Sequence, residues 1–354
     1  MLTTDRKIKA FSTLANHLKN IIETDYETLN VDQKAFVSAM QKSSQTNPWF
    51  TSENINLAVS NLIEMLHEDS LRKWVANYAM NDEKEPLTIG VVMAGNIPLV
   101  GFHDFLCVLM SGNRFFGKLS HDDQYLLPAL AEMLQKIEPE FSDSISFTTE
   151  RLSDFDAIIA TGSNNTARYF DYYFGKYPNL IRKNRNSVAV LTGKETNADF
   201  EKLADDVFAY FGLGCRSVST LLVPTAYDFT SLLEIFSNRA NVINHARYFN
   251  NYEYNKAVFL INKVSHFDNG CLLLTQSDQL NTPISVLHYR YYDSINQVLD
   301  LLNNHQEKIQ CVVSKNAFLL NSFDFGMAQK PDVQHYADNV DIMQFLLSLH
   351  HKIR

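Results

Sequence analysis

Cys215 is the residue of this chain whose sequence context most favours nucleophilic chemistry. It lies in the segment FGLGCRSVSTLLV, with Gly212 and Gly214 on one side, Arg216 on the other, and a run that predicts a buried strand after it. A free thiol has a pKa of about 8.5 and becomes a strong nucleophile where positive charge or backbone dipoles favour the thiolate. The flanking glycines leave the approach to this thiol open. The alternative interpretation, a small apolar residue in a core, stays open at this point.

The other three cysteines have apolar neighbours in sequence: Cys107 in FLCVLM, Cys271 in GCLLL and Cys311 in IQCVVS. All four cysteines are far apart and form no CxxC pair, so the sequence predicts neither a zinc site nor a disulfide framework. We therefore expect free thiols, three of them buried as small hydrophobic side chains, and no metal site.

Three further segments carry polar residues where an apolar, strand-like run ends. Asn96 follows the run LTIGVVMAG, Lys118 ends the run RFFGK, and Thr161, Gly162 and Ser163 follow the run DAIIA. Ligands of open α/β sheets gather at the carboxyl ends of strands, and the N–H groups at a helix N-terminus bind phosphate. Each segment alone is also explained by an ordinary turn, a solvated lysine, or a helix N-cap at Ser163 or the residue after it.

Strands and helices that alternate along the chain must position these residues. Residues 1–80 carry apolar residues at three- and four-residue spacing, as in KIKAFSTLANHLKNII, which predicts a helical N-terminal layer. From residue 87 onward, predicted strands at 114–119, 145–148, 156–161, 187–191 and 217–223 alternate with predicted helices at 102–110, 126–137, 164 onward, 199–211 and 229–238. This alternation predicts parallel sheets covered by helices on both faces.

Length and charge limit the classes of protein to which the chain can belong. Its 354 residues exceed one typical domain, so two are expected. The net charge is -9 and the basic residues form no long run, which argues against a nucleic-acid partner. No stretch approaches 18 apolar residues and the N-terminus has no apolar signal core, so we expect a cytoplasmic protein without a membrane span.

In this order, AGNIP, GNRFFGKLS, ATGSNN and FGLGC resemble segments of the aldehyde dehydrogenase superfamily. Within it they resemble the acyl-CoA reductase family, which includes the reductase component of bacterial luminescence fatty-acid reductase. The resemblance implies an aldehyde dehydrogenase-like α/β fold of two doubly wound domains with the helical N-terminal layer. It places that layer and a nicotinamide-cofactor-binding domain in residues 1–183, a catalytic domain in 184–330, and a segment returning to the cofactor domain in 331–354. In this last segment, YADNVD is similar to the superfamily's closing strand.

The resemblance implies that Cys215 accepts the acyl group of a fatty acyl thioester, which reduced nicotinamide then converts to the aldehyde. The Asn96 side-chain amide and the Cys215 backbone N–H would stabilise the oxyanion, by about 3 to 4 kcal/mol per donor. The glutamate that activates water in hydrolytic members falls on Ile181, and no Asp or Glu occurs over residues 174–193. We therefore expect reduction without efficient hydrolysis. The basic segment RKNR at residues 182–185 is expected to attract phosphate groups of CoA or cofactor.

The cofactor roles also follow from the resemblance. Lys118 is expected to hold the adenosine ribose or its phosphate, and Thr161–Ser163 to face the pyrophosphate. The glutamate that binds the other ribose falls on or near Gln279, where the match is loosest. NADPH is expected to serve at least as well as NADH, because the position three residues after Lys118, acidic in NAD-preferring members, is His121. The alternative is that His121 only caps a helix.

Several alternatives stay open on the sequence. One is a related enzyme that reduces an acyl phosphate or oxidises an aldehyde, and another is a non-catalytic binding protein that retains the fold. The acyl donor is CoA, an acyl carrier protein or an acylated partner enzyme, and its chain length is undetermined. The oligomeric state is open, with a homo-oligomer among the options. The aromatic residues Phe170, Tyr172, Tyr173 and Phe174 either line an acyl tunnel or pack in the core.

Overall fold

The chain divides into two units in the computed structural model, which describes residues 2–352 except for the side chains of residues 164 and 350–352. One unit comprises Met1–Lys183 and Pro331–Arg354, and the other comprises Asn184–Lys330. We refer to them as unit 1 and unit 2. Among the described residues, no helix combines the length and the apolar character that a bilayer crossing requires.

Unit 1 begins with the helical layer that the apolar spacing predicts. Polar N-caps start its first three helices, where the side chains of Thr3, Asn30 and Thr51 each accept a hydrogen bond from a first-turn N–H group. The first helix buries Phe11 and Leu14 completely, so its apolar stripe faces a core. The helices of the layer are α1 (Thr4–Glu23), α2 (Val31–Thr46), α3 (Ser52–Met65) and α4 (Glu68–Val75).

A parallel sheet follows the helical layer in unit 1. Its strands are β1 (Thr88–Val92), β2 (Arg114–Lys118), β3 (Ile145–Thr148), β4 (Ala157–Thr161) and β5 (Asn179–Arg182). The connecting helices are α5 (Phe102–Met110), α6 (Leu126–Ile137) and α7 (Asn164–Phe174). The strand order is β3-β2-β1-β4-β5 and every pair is parallel, so the direction of winding reverses between β1 and β4. The predicted doubly wound arrangement is confirmed here, and β5 is a strand that the sequence reasoning missed.

Unit 2 contains the second sheet, which is parallel except at one edge strand. One apolar cluster of its core includes Leu221, Leu274 and Phe236, and a second includes Val190 and Leu222. The strands are β6 (Asn186–Val190), β7 (Val218–Pro224), β8 (His266–Asp268), β9 (Leu273–Gln276), β10 (Val286–Tyr292) and β11 (Ile309–Ser314). Their order in the sheet is β11-β6-β7-β10-β9-β8, and β8 is the antiparallel edge strand. The helices are α8 (Asn197–Phe208), α9 (Thr230–Ser237), α10 (Ala246–Ile261) and α11 (Ile295–Asn304).

Two sequence-based assignments are wrong, both because residues adopt positive φ angles. The helix predicted at 199–211 ends at Phe208, since Tyr210 and Phe211 have φ of 53° and 56°. The segment YADNVD forms a short 3-10 turn and not a closing strand, since Asp338 and Asn339 have φ of 61° and 57°. Left-handed residues cannot continue a right-handed helix or an extended strand. Helix α12 (Ile342–Lys352) follows this turn in unit 1.

A buried ion pair joins α5 to the end of β5 in unit 1. The guanidinium of Arg182 donates two hydrogen bonds to the carboxylate of Asp104, at 2.8 and 2.9 Å, and both side chains are less than a tenth exposed. The expectation that Arg182 attracts phosphate is therefore wrong, because its charge is already paired and buried. Removing one residue of a buried ion pair lowers the free energy of unfolding, since the charge of the other residue is left buried without its partner.

Removing only the carboxylate of this pair should destabilise unit 1 strongly. Asp104→Leu leaves the Arg182 guanidinium buried without the carboxylate that it binds and should lower the free energy of unfolding by about 3 to 5 kcal/mol. The double variant Asp104→Leu with Arg182→Met removes both charges and should recover most of that loss. Urea unfolding of the three proteins tests this, and a double variant no more stable than the single one would contradict it.

Candidate functional site

The predicted cofactor residues of unit 1 lie at the carboxyl edge of its sheet. Lys118 and Thr161 are the last residues of β2 and β4, and Asn96 follows β1, which lies between these two strands. In the pairing register, Val92 of β1 lies opposite Lys118 and opposite Ala160. The winding reverses between β1 and β4, and crevices at such points are the usual ligand sites of open α/β sheets.

The loops after β1 and β2 pack closely against each other. A Cβ atom on Gly95 would lie 2.3 Å from Oγ of Ser120, so only glycine fits there. The carboxylate of Asp123 accepts a 2.9 Å hydrogen bond from the N–H of Leu99, whose φ is 59°. Burial raises the pKa of Asp123 to about 6, although backbone N–H groups of Leu99 and Leu126 oppose that shift. Sequence reasoning missed this carboxylate because an acidic residue in a loop is no specific signal.

Lys118 and His121 have different surroundings on the β2 side of this edge. The ammonium of Lys118 donates to the carbonyl oxygens of Thr149 at 3.2 Å and Glu150 at 2.8 Å. The side chain of His121 is 91% exposed, and its Nδ1 lies 3.6 Å from the carboxylate of Asp122. His121 lies in a turn before the N-cap of α6, so the alternative that it caps a helix is wrong.

The turn after β4 begins α7. The hydroxyl of Ser163 accepts a 3.2 Å hydrogen bond from the N–H of Thr166, which makes Ser163 the N-cap. A Cβ atom on Gly162 would lie 2.9 Å from the ring of Phe170, so the glycine allows the helix to pack close to the strand end.

The aromatic residues of α7 divide between two environments. Phe170 packs on a buried cluster, whereas Tyr172 is 83% exposed.

Cys215 lies in unit 2 and is exposed, whereas the other three cysteines of the chain are buried, as the sequence predicted for those three. The turn of residues 214–217, called the Cys215 turn below, follows the left-handed residues at the end of α8. Its backbone closes with a 3.0 Å hydrogen bond from the N–H of Ser217 to the carbonyl of Gly214. The hydroxyl of Ser187, in β6, donates to the carbonyl of Cys215 at 2.9 Å. Burial raises the pKa of the Cys271 thiol to about 11, a value at which a thiol is unreactive.

Arg216 directs its guanidinium toward the buried side of unit 2. Its Nε donates to the carbonyl of Ala328, a terminal nitrogen lies 3.7 Å from Sγ of Cys311, and the group stacks 4.8 Å from the ring centre of Phe323. We expected this positive charge to favour the thiolate of Cys215. The guanidinium contacts Ala328, Cys311 and Phe323, so it holds the chain after the turn. Its effect on the Cys215 thiolate stays a prediction.

Gln279 lies in the loop after β9 and is exposed. The hydroxyl of Ser219 donates to the carbonyl of Leu280 at 2.8 Å and also lies 3.3 Å from the carbonyl oxygen of Ser187. Because Ser187 also bonds the Cys215 carbonyl, this network brings the Gln279 loop and the Cys215 turn into one neighbourhood of unit 2.

Ile181, the position at which the sequence predicts no catalytic base, makes apolar contacts. Ile181 lies in β5 and packs, partly buried, on a hydrophobic cluster of unit 1. Within residues 2–352, no group of three or more His, Cys, Asp or Glu side chains has an arrangement that could hold a metal ion.

Comparisons with known proteins agree with this architecture. A sequence profile of the acyl-CoA reductase (LuxC) family matches residues 5–247, more than half of the chain. No curated protein matches the chain significantly. Among solved structures, an NAD+ complex of aldehyde dehydrogenase from Bacillus cereus is similar, with a TM-score of 0.61 and 12% identity over 88% of this chain and 72% of that one.

Two further structures have the same fold. Aldehyde dehydrogenase C from Pseudomonas syringae, a cysteine-to-alanine mutant with NAD+ and octanal, has a TM-score of 0.56 and 12% identity over 92% of this chain and 78% of that one. Aldehyde dehydrogenase 21 from Physcomitrella patens, with the product succinate, has a TM-score of 0.57 and 13% identity over 88% and 78%.

At such identities the structural likeness establishes the fold, and the profile match establishes the family. The chain therefore belongs to the acyl-CoA reductase (LuxC) family and is an oxidoreductase that acts on acyl or aldehyde groups, built on the aldehyde dehydrogenase fold.

Proposed function

We propose that this chain reduces a fatty acyl thioester to the aldehyde with NADPH, through an acyl-enzyme on Cys215. The observation that carries the proposal is the exposure of Cys215, since the other three thiols are buried. Covalent transfer to a thiol requires that the substrate carbonyl reach the sulfur, which only an accessible cysteine allows.

The protein's part in the reaction consists of two exchanges at Cys215. The thiolate attacks the thioester carbonyl carbon, and the bond from that carbon to the donor sulfur breaks, so CoA leaves as a thiolate. When bound, NADPH supplies the hydride that reduces the enzyme thioester. The bond from carbon to Cys215 then breaks, which releases the aldehyde and regenerates the thiolate. The Asn96 side-chain amide and the Cys215 N–H are proposed to stabilise the oxyanion in both exchanges.

The donor groups at the carboxyl edge of the unit 1 sheet suit a dinucleotide phosphate. Lys118 has three N–H donors and uses two on carbonyl oxygens, which leaves one for a ribose or phosphate oxygen. The N-terminus of α7 offers backbone N–H groups next to Thr161–Ser163, which we assign to the pyrophosphate. His121 is assigned to the adenosine ribose or its phosphate, and Gln279 to the nicotinamide ribose. Unit 1 would thus supply most of the cofactor contacts, and unit 2 would supply Gln279 and the nucleophile.

Acylation of Cys215 is the first test. Incubation with a long-chain acyl-CoA in the absence of NADPH should add one acyl mass to the wild-type protein, and Cys215→Ala should show no adduct. Cys271→Ala, which removes a buried thiol of the same unit, should still be acylated. Intact-mass spectrometry gives the readout, and acylated Cys215→Ala protein would disprove the assignment.

Two further assays would separate this activity from acyl-phosphate reduction and aldehyde oxidation. One repeats the acylation assay with acyl phosphates, and the other measures aldehyde oxidation with NADP+.

Cofactor preference is the second test. NADPH should give a kcat/KM at least as high as NADH, because the exposed imidazole of His121 does not repel a 2′-phosphate. His121→Asp adds a like charge and should shift the ratio toward NADH by about tenfold, equivalent to about 1.4 kcal/mol. Asp122→Asn removes the neighbouring carboxylate and should shift it in the opposite direction. A wild-type protein that strongly prefers NADH would refute this prediction.

The lifetime of the acyl-enzyme is the third test. Ile181 cannot activate water, so the adduct on Cys215 should persist without NADPH and return its acyl group to added CoA. Quenched samples taken over time would measure both the adduct and the free fatty acid. Release of fatty acid as fast as reductive turnover would show that another residue supplies a base.

A further inference from the structure

Asp206, on α8, is a buried carboxylate that the proposed chemistry does not use. Its side chain is 1% exposed. One carboxylate oxygen accepts a 2.7 Å hydrogen bond from the N–H of Gly326, and the other accepts a 2.9 Å bond from the N–H of Ala328. A carboxylate that takes two backbone bonds in a dry site fixes the position of the segment that donates them.

The segment held by Asp206, residues 324–329, contacts the Cys215 turn at two points. The carbonyl of Ala328 accepts the hydrogen bond from Nε of Arg216, the residue after Cys215. The amide of Gln329 donates to the hydroxyl of Ser217 at 3.1 Å. Thus two hydrogen bonds connect the carboxylate to this segment, and two more connect the segment to the turn.

The segment also fits tightly against α8. Gly326 has a φ of 80°, and a Cβ atom there would lie 3.2 Å from Cβ of Lys202. The ammonium of Lys202 lies 3.8 Å from the carboxylate of Asp324, which begins the same segment. With helix and loop this close, a change at Asp206 shifts the segment as a whole, because packed interiors offer little free space.

We propose that Asp206 is a positioning residue for the nucleophile: by fixing residues 324–329 it fixes Arg216 and Ser217, and so the orientation of the Cys215 thiol. This inference rests on the proposed function, in which Cys215 accepts the acyl group. Displacements of about 1 Å at a reacting atom can cost about 100-fold in rate, so a residue in contact with none of the reacting atoms can still control the reaction.

The charges around Asp206 fit this role. Burial raises the pKa of Asp206 to about 7, and the N–H groups of Gly326 and Ala328 and the nearby Arg216 act against that shift. Its neighbour Asp205 has a 64% exposed side chain that pairs with Arg239. Two adjacent carboxylates on one helix therefore differ in burial and in their contact with residues 324–329. This difference makes Asp205 a matched control.

The test compares Asp206→Asn with Asp205→Asn in the full chain. An amide at 206 keeps the size of the side chain but offers only one acceptor oxygen, so one backbone bond is lost. We expect alkylation of Cys215 by iodoacetamide, followed on its peptide by mass spectrometry, to slow by about 10- to 100-fold in Asp206→Asn. Asp205→Asn should match the wild type. The kcat for acyl-CoA reduction should fall with alkylation while the KM for NADPH stays constant.

The proposal would be overturned if Asp206→Asn keeps its near-ultraviolet circular dichroism spectrum and its Cys215 is alkylated at the wild-type rate. It would also be overturned if alkylation slows equally in Asp205→Asn. If Asp206→Asn does not fold, Gln329→Ala takes its place and removes the second contact with the turn. Slower alkylation in Gln329→Ala then supports the proposal, and wild-type alkylation overturns it. Because alkylation needs neither CoA nor NADPH, a wild-type protein that fails to reduce acyl-CoA would refute the proposed function and leave this result standing.

Discussion

Parallel pairing of the unit 1 strands is the constraint on which the arrangement of unit 1 depends. Each parallel pair needs a crossover, so the carboxyl ends of β1, β2 and β4 meet at one edge although they are up to seventy residues apart in sequence. Polar residues that follow different strands thereby become neighbours. The interlocked loops at Gly95 and Ser120 show how closely they approach.

Unit 2 uses its sheet in a different way. Cys215 comes before β7, at the amino end of the strand, beside Ser187 at the amino end of β6. The rule that ligands gather at carboxyl ends therefore does not locate this cysteine. A short turn after three left-handed residues locates it, and side-chain hydrogen bonds from the neighbouring segments hold that turn.

A buried carboxylate holds a loop in each of the two units. Asp123 bonds Leu99 after β1, and Asp206 bonds the segment that meets the Cys215 turn. Asp104 instead pairs with a buried guanidinium. Burial raises the pKa of Asp123 and Asp206, because an ion loses the solvation of water, and the hydrogen bonds they accept offset part of that cost. Such residues tie loops to helices without facing solvent themselves.

Local sequence determined the helical layer, most strands of the unit 1 sheet, strands β6 and β7 of the unit 2 sheet and the burial of three cysteines, because apolar periodicity is a short-range property. The order of four short motifs along the chain is enough to indicate the family, while the roles assigned to Asn96, Lys118 and Cys215 remain proposals.

Only the tertiary structure decided which partners two arginine side chains contact and where a helix ends although its apolar periodicity continues. Arg182 and Arg216 have the sequence context of surface cations, yet one pairs with Asp104 and the other contacts Ala328, which is 112 residues away. Helix α8 stops at Phe208 although its pattern continues, because the left-handed residues after it end the helix. Local periodicity does not reveal which distant residue a charged side chain will contact. It also does not reveal the φ angles that packing against such partners imposes. These features therefore follow from the folded chain alone.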